Sequence, residues 1–452
     1  MKKLIKNGKI VTREKVFKGN ILINEKGKIE NITTDKLDRI GGEIYDAKGS
    51  YILPGLIEVH GHLREPGLTL KEDIPHGTRA ALAGGFTTVI DMPNTKPPTV
   101  TVDLLKEKIN KIYAGRSYVD YAFFMGASSD KLDELEKVNP KDIAGIKVFM
   151  AGHETTPTTI PDDKTLGKIF QICTKRNIIL ALHAEDQWLI NYYKDKFKNS
   201  GRSDPASWSE ARPKEVIITA VGRAIALAEQ YGTKVYLLHL ATPEEFTLVN
   251  AAKKRNLNIY GELVSYQLIF NTKDYKRLGN LIKVSPALRS PQNQSDMWNM
   301  FNQGLIDAVC SEHTPHEWES KNQPDVWKAQ SGTPGIQETL PALVTEWSKR
   351  FGIKNLESGL MKIALYASYN PAKIFGFKTK GAIEVGKDAD LVIIDIKNKW
   401  QVKKKDLFSK CGWSAYEDMK LIGKPSTTFL RGKITFQREI ISKNPSGKWI
   451  NH

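Results

Sequence analysis

Nine histidines occur in the 452 residues, and four of them sit where a short apolar run ends. His60 and His62 share the segment Glu58-Val-His-Gly-His62, and the alternation of a strand puts both imidazoles on one face. His183 closes the run in LALHAED, and His239 closes the run in VYLLHLA. One such histidine alone reads best as a hydrogen-bonded core residue. Four at strand ends point instead to a divalent metal, because neutral imidazole suits zinc and comparable ions. A metal with an unfilled coordination position acidifies water for nucleophilic attack. Lys147 lies inside the apolar segment AGIKVFM, where a charged amine is costly to bury. Its ordinary reading is a side chain that snorkels outward or pairs with a carboxylate. Beside two metal ions, a neutral amine can instead take up carbon dioxide and present a carbamate able to bridge them. Glu312, in IDAVCSEHTPH, offers a carboxylate for metal ligation and general-base work. Asp307 is no substitute, lying about 16 Å away along an extended strand.

These side chains need a scaffold that gathers strand ends. Short apolar runs at 56–60, 87–92, 119–125, 143–150, 178–183, 235–239, 257–263 and 308–312 alternate with helix-length segments such as 162–176 and 214–231. Eight such units predict an α/β fold, a distorted TIM (β/α)8 barrel whose active site lies at the C-terminal strand ends. An open doubly wound sheet is the rival, but no glycine-rich dinucleotide fingerprint follows the first strand. Near the start, KLIKNGKIV and NILINEKGKIENI read as alternating strands, with turn signals at Asn7-Gly8 and at Gly27. That texture returns in GAIEVGKDADLVIID (381–395) and TTFLRGKITF (427–436). The expected organisation is one small β-sandwich domain built from both chain ends. Residues 1–54 form its N-terminal part, 55–380 the barrel, and 381–452 its C-terminal part and tail.

Composition narrows the partners. Lys and Arg total 67 against 51 Asp and Glu, a net charge of +16, which raises nucleic acid, membrane surface or an anionic substrate. The basic residues are 52 Lys and only 15 Arg, scattered among acids, and this reads as a solvated surface rather than a nucleic-acid stripe. Cys173, Cys310 and Cys411 are far apart, so neither a disulfide framework nor a zinc ribbon is supported. No apolar run reaches the ~18 to 20 residues of a membrane span. A cytoplasmic protein acting on a small molecule is expected, without nucleic acid or membrane, and with a homo-oligomer left open.

The ordered segments HGHLREPG (60–67), GGFTTVIDMPNTKPPT (84–99), GIKVFM, LHAED, LLHLA, SEHTPH and SGTPGIQETLP (331–341) resemble the landmarks of dihydroorotases of the binuclear amidohydrolase superfamily. The likeness runs nearly end to end, since GAIEVGKDADLVIID resembles the superfamily's closing β-module and KCGWSAYED (410–418) its tail segment. It implies two zinc ions, one held by His60 and His62 and the other by His183 and His239, with carboxylated Lys147 bridging them. It implies Glu312 as metal ligand and proton shuttle. It also implies the reversible cyclisation of N-carbamoyl-L-aspartate to dihydroorotate in pyrimidine biosynthesis, the ring amide carbonyl being attacked by metal-activated water in the reverse direction. Arg64, Asn94 and His316 match residues that hold the substrate carboxylate. Pro334 and Gly335 match the substrate-facing loop.

Three positions depart from that pattern. Glu312 stands where the family has Asp. The seventh-strand segment GELVSYQL (261–268) lacks the usual Pro-His-His or Pro-His-Tyr. Ser285 stands where many dihydroorotases have Asn and where relatives acting on allantoin also carry Ser. Two other functions stay open on these grounds: a related cyclic amidohydrolase of the allantoinase or hydantoinase kind, and a weakly active homologue serving as a scaffold. The segment 150–156 is a candidate lid, with His153 a solvated loop residue.

Overall fold

The computed structural model describes residues 1–35, 41–152, 156 and 158–451. All eight expected barrel strands form: Leu56–Gly61, Phe86–Asp91, Asp120–Gly126, Gly145–Phe149, Leu180–His183, Val235–Leu240, Ile259–Val264 and Ala308–Cys310. They lie side by side in chain order, each parallel to the next. The period of two sorts their side chains. Ile146, Val148, Leu180, Leu182 and Leu237 join the apolar cluster shared with the surrounding helices, while Ala181, Tyr236 and Leu238 belong to an inner cluster. Lys147 and His183 fall on the inner phase of their strands. Helices begin where side chains cap them: Asp162 accepts from the Thr165 amide at the start of Asp163–Lys175. Left-handed Gly232 ends the helix Lys214–Tyr231.

The barrel is nearly closed between its eighth and first strands, and a buried carboxylate spans the gap. Glu58 accepts from the amides of His60 and Ser311, each at 2.9 Å, and from the Ser311 hydroxyl. The His62 amide donates to His313 O at 3.0 Å. Both histidines of the HxH segment are thereby tied to the end of the eighth strand.

Both chain ends contribute to a nine-stranded, mainly antiparallel sheet. Its central pairing joins Tyr51–Pro54 from the N-terminal side to Leu391–Asp395 from the C-terminal side. Asn7-Gly8 is not a turn. The strand Lys2–Val11 runs through it with Asn7 at φ 58°, and the register with Val16–Ile23 shifts between Ile5 and Gly8. The pair makes a bulge, and the glycine leaves room there for Ile52, whose Cδ1 would lie 2.2 Å from a Cβ at Gly8 and would have to shift. Among the described residues, no helix is long and apolar enough to cross a membrane.

One buried ion cluster ties the sheet to the barrel. Lys380 Nζ lies 2.5 Å from Asp120, at the start of the third barrel strand, 2.7 Å from Asp390 and 3.1 Å from Asp388. Arg431 also pairs with Asp120. Asp120 keeps Arg431 and Asp388 keeps Lys28, but removing the shared cation leaves buried Asp390 without its cationic partner among the described residues, so Lys380→Met is expected to cost about 3–5 kcal/mol in urea unfolding. A change within about 0.5 kcal/mol, the range of an ordinary surface substitution, would contradict that role.

Candidate metal centre

The strand ends bring the chemical residues together. His60, His62, Asn94, Lys147, Phe149, His183, His239, Ser285, Glu312, Thr314, Ser331 and Gly332 line one pocket at the C-terminal rim. Two of these residues turn the chain sharply: His239 has φ 43° and Glu312 has φ 45°, two residues beyond the end of the eighth strand. Ligand atoms of His60, His239 and Glu312 lie within 4.8 Å of one another. The rings of His60 and His62 are 5.2 Å apart, and those of His60 and His239 5.3 Å. His183 Nδ1 and His239 Nε2 face each other at 2.7 Å.

The outward ring nitrogens are tethered. His60 Nδ1 donates to Glu262 Oε1 at 2.8 Å, His62 Nδ1 to Asn94 Oδ1 at 2.6 Å, and His183 Nε2 to Glu185 Oε2 at 2.8 Å. Arg212 in turn pairs with Glu185 at 2.6 Å. A nitrogen that donates outward leaves the other with its lone pair free to ligate, and a carboxylate partner raises the basicity of that lone pair. Neither Glu262 nor Glu185 was assigned a role from sequence. Glu185 lies inside the LHAED landmark, and Glu262 is a lone charge in a buried strand, which was the available signal. Its partner His60 is 202 residues away in the chain.

Burial sets the protonation states. It pushes His60 down to about 4, against the upward pull of Glu262. His62 is held far below the usual imidazole range by burial and then by the Arg64 charge, and burial also lowers His183. These imidazoles are neutral at pH 7 and offer lone pairs. Burial lowers the Lys147 amine to about 7 although Glu312 and Glu262 pull it upward, and among the described residues its Nζ has no hydrogen-bond partner. It lies 4.5 Å from the centre of the Phe149 ring. The Glu312 carboxyl is raised to about 8 by burial, with Tyr266 opposing and Glu262 adding to the rise. Against burial, Arg212 and His183 hold Glu185 well below the carboxylate range. Neutral imidazoles, buried carboxylates and an orphaned amine, converging on one pocket, fit divalent metal ions of the zinc type.

Residues 51–435 match the amidohydrolase family. The chain belongs to that family. A dihydroorotase of Methanosphaera stadtmanae is 32% identical to this amidohydrolase over 98% of each chain. An allantoinase of Rubrobacter xylanophilus is 31% identical over 90% of this chain and 89% of its own. The solved L-hydantoinase of Arthrobacter aurescens superposes with a TM-score of 0.95 at 28% identity, covering 100% of this chain and 99% of that one. The protein is a metal-dependent cyclic amidohydrolase with a TIM barrel and a small β domain.

The remaining expected site residues divide in two groups. Ser285 is in the pocket wall, where its hydroxyl meets that of Ser331 at 2.9 Å. Arg64 and His316 are buried just behind that wall: the Arg64 Nη2 lies 3.2 Å from His316 Nε2, which lies 2.9 Å from Ser331 O. Pro334 and Gly335 are also buried outside the wall, and the Gly335 amide donates to His313 Nδ1 at 3.2 Å. His153, and with it the centre of the candidate lid, lies outside the described residues.

If Glu262 and Glu185 orient the histidines as metal ligands, Glu262→Gln and Glu185→Gln should each weaken metal retention about 10- to 100-fold. Competition with a graded chelator, read by elemental analysis, measures this. Wild-type retention in both variants would remove the orienting role.

Proposed function

We propose that this amidohydrolase is a dihydroorotase, acting in de novo pyrimidine synthesis to interconvert N-carbamoyl-L-aspartate and dihydroorotate. The observation that carries the reading is the environment of Arg64. Its guanidinium is buried, Nε donates to Pro315 O at 3.1 Å, and Nη1 has no hydrogen-bond partner among the described residues. Burial lowers it to about 10, against the pull of Asp91 and Glu312, so it is charged at pH 7. A fixed buried cation with an unused donor calls for an anion. Dihydroorotate carries a carboxylate, whereas hydantoin and allantoin rings do not.

In this reading His60 and His62 would hold one zinc ion and His183 and His239 the other, with Lys147, carboxylated by carbon dioxide, and Glu312 as the anionic members of the ligand set. The depressed basicity of Lys147 supports this assignment, because only a neutral amine reacts with carbon dioxide. When bound, zinc supplies Lewis-acid polarisation of the reacting carbonyl and lowers the pKa of water. Arg64, with His316 beside it, binds the substrate carboxylate and fixes the ring's orientation, and Asn94 in the pocket wall shares that contact. Ser285 and the Pro334-Gly335 backbone shape the far side. Glu312, whose carboxyl a bound dication would hold ionised against its burial, takes a proton from the attacking water and returns it to the departing ring nitrogen as the amide bond breaks. Ring closure runs the same transfers backwards. A second reading, opening of an uncharged ring, is favoured by Ser285 in the pocket wall and by the likeness to an L-hydantoinase.

Turnover by zinc-loaded protein in bicarbonate separates the two, with dihydroorotate, hydantoin and allantoin compared and a chelator control. Dihydroorotate is the expected substrate. Arg64→Ala should lower its kcat/KM by about 100-fold or more, as loss of a charged, bidentate contact would. Preferred turnover of an uncharged ring, or a dihydroorotate rate indifferent to Arg64→Ala, would overturn the assignment.

A further inference from the structure

Two of the departures from the dihydroorotase pattern touch each other. Glu312 stands in place of Asp, and Tyr266 lies in the seventh-strand segment that lacks the usual histidine element. The Tyr266 hydroxyl donates to Glu312 Oε2. Tyr266 is 2% exposed and belongs to the apolar cluster inside the barrel, in the short helix Ser265–Ile269 that follows the seventh strand. Its ring is therefore fixed by packing. Glu312 has an extra methylene, which extends the carboxylate by about 1.5 Å, and one more rotatable bond than Asp. With Oε2 held by the phenol, Oε1 is left 3.9 Å from His60 Nε2, on the metal side. The Thr314 hydroxyl donates to the Glu312 carbonyl and steadies the backbone.

We propose that Tyr266 is the positioning residue for Glu312, and that the two replacements form one unit in which the phenol anchors the longer carboxylate at the metal site. The inference rests on the reading of Glu312 as a metal-site carboxylate and proton carrier. It does not depend on which ring the enzyme opens.

The test is a double-mutant cycle on the full-length, zinc-loaded protein: wild type, Tyr266→Phe, Glu312→Asp and both together. Metal ions retained against a chelator, and kcat and KM on the ring that the wild type opens, are the readouts. Tyr266→Phe is expected to lose metal faster than wild type and to lower kcat about 10- to 100-fold, the cost of misplacing a reacting group. KM should change little, because Arg64 is untouched. The double variant should lose no more than the worse single variant, as coupled neighbours do. Should Tyr266→Phe fail to fold, Tyr266→His carries the same cycle. If the wild type holds metal and Tyr266→Phe matches it in retention and kcat, or if the two single losses multiply, the pairing is overturned alone. A wild type that holds no metal overturns the reading of the site together with the pairing.

Discussion

An amine buried without a hydrogen-bond partner among the described residues is the constraint around which the site is organised. Lys147 sits on the inner phase of the fourth strand, 1% exposed, and burial makes its neutral form accessible near pH 7. Its charge would act on His60, His62 and His183 at once. A barrel interior does not hold a bare ammonium among imidazoles without compensation. In the proposed reading, a carbamate at Lys147 lying between two cations would turn the same position from a liability into the centre of a ligand set. The surrounding histidines complement this, since burial keeps them neutral while Glu262 and Glu185 hold their outward nitrogens.

The barrel supplies the convergence, and local backbone features supply the aim. Glu58 clasps the seam between first and eighth strands, so the HxH segment and the Glu312 turn are set against each other rather than free to drift. Left-handed backbone at Arg64, His239 and Glu312 turns the chain just where a regular strand would carry these side chains past the pocket. Non-glycine residues in that region cost of order 1–3 kcal/mol each, and three of the eleven among the described residues lie at this rim. The same rim separates two jobs. Neutral imidazoles face the pocket, while the charged Arg64 lies behind Ser331 with His316, kept neutral by burial, beside it.

Much of this architecture is legible in the sequence, for a physical reason. Parallel strands buried on both faces write themselves as continuous apolar runs, and a histidine or lysine at the end of such a run stands out against them. The eight strands and the chain-end sheet follow from that texture. Asn7-Gly8 misleads because the same dipeptide serves a turn and a bulge; Ile52 packing against Gly8, which decides between them, comes from a different strand. Glu262 escapes notice for a related reason. A carboxylate that orients a histidine has no fixed spacing from it, so only folding reveals the pair. Tyr266 and Glu312 are each visible as departures, yet their contact spans 46 residues and belongs to tertiary structure alone.

Whether Lys147 organises a two-metal centre decides the chemistry of the site. The direct measurement is the number of zinc ions per chain in protein purified with zinc and bicarbonate, for the wild type and Lys147→Ala side by side. About two ions in the wild type and fewer than one in the variant, with the fold intact by circular dichroism, is the predicted result. Equal metal content in the two proteins would contradict it, leaving the histidines as independent sites and Lys147 as a buried lysine without a chemical role.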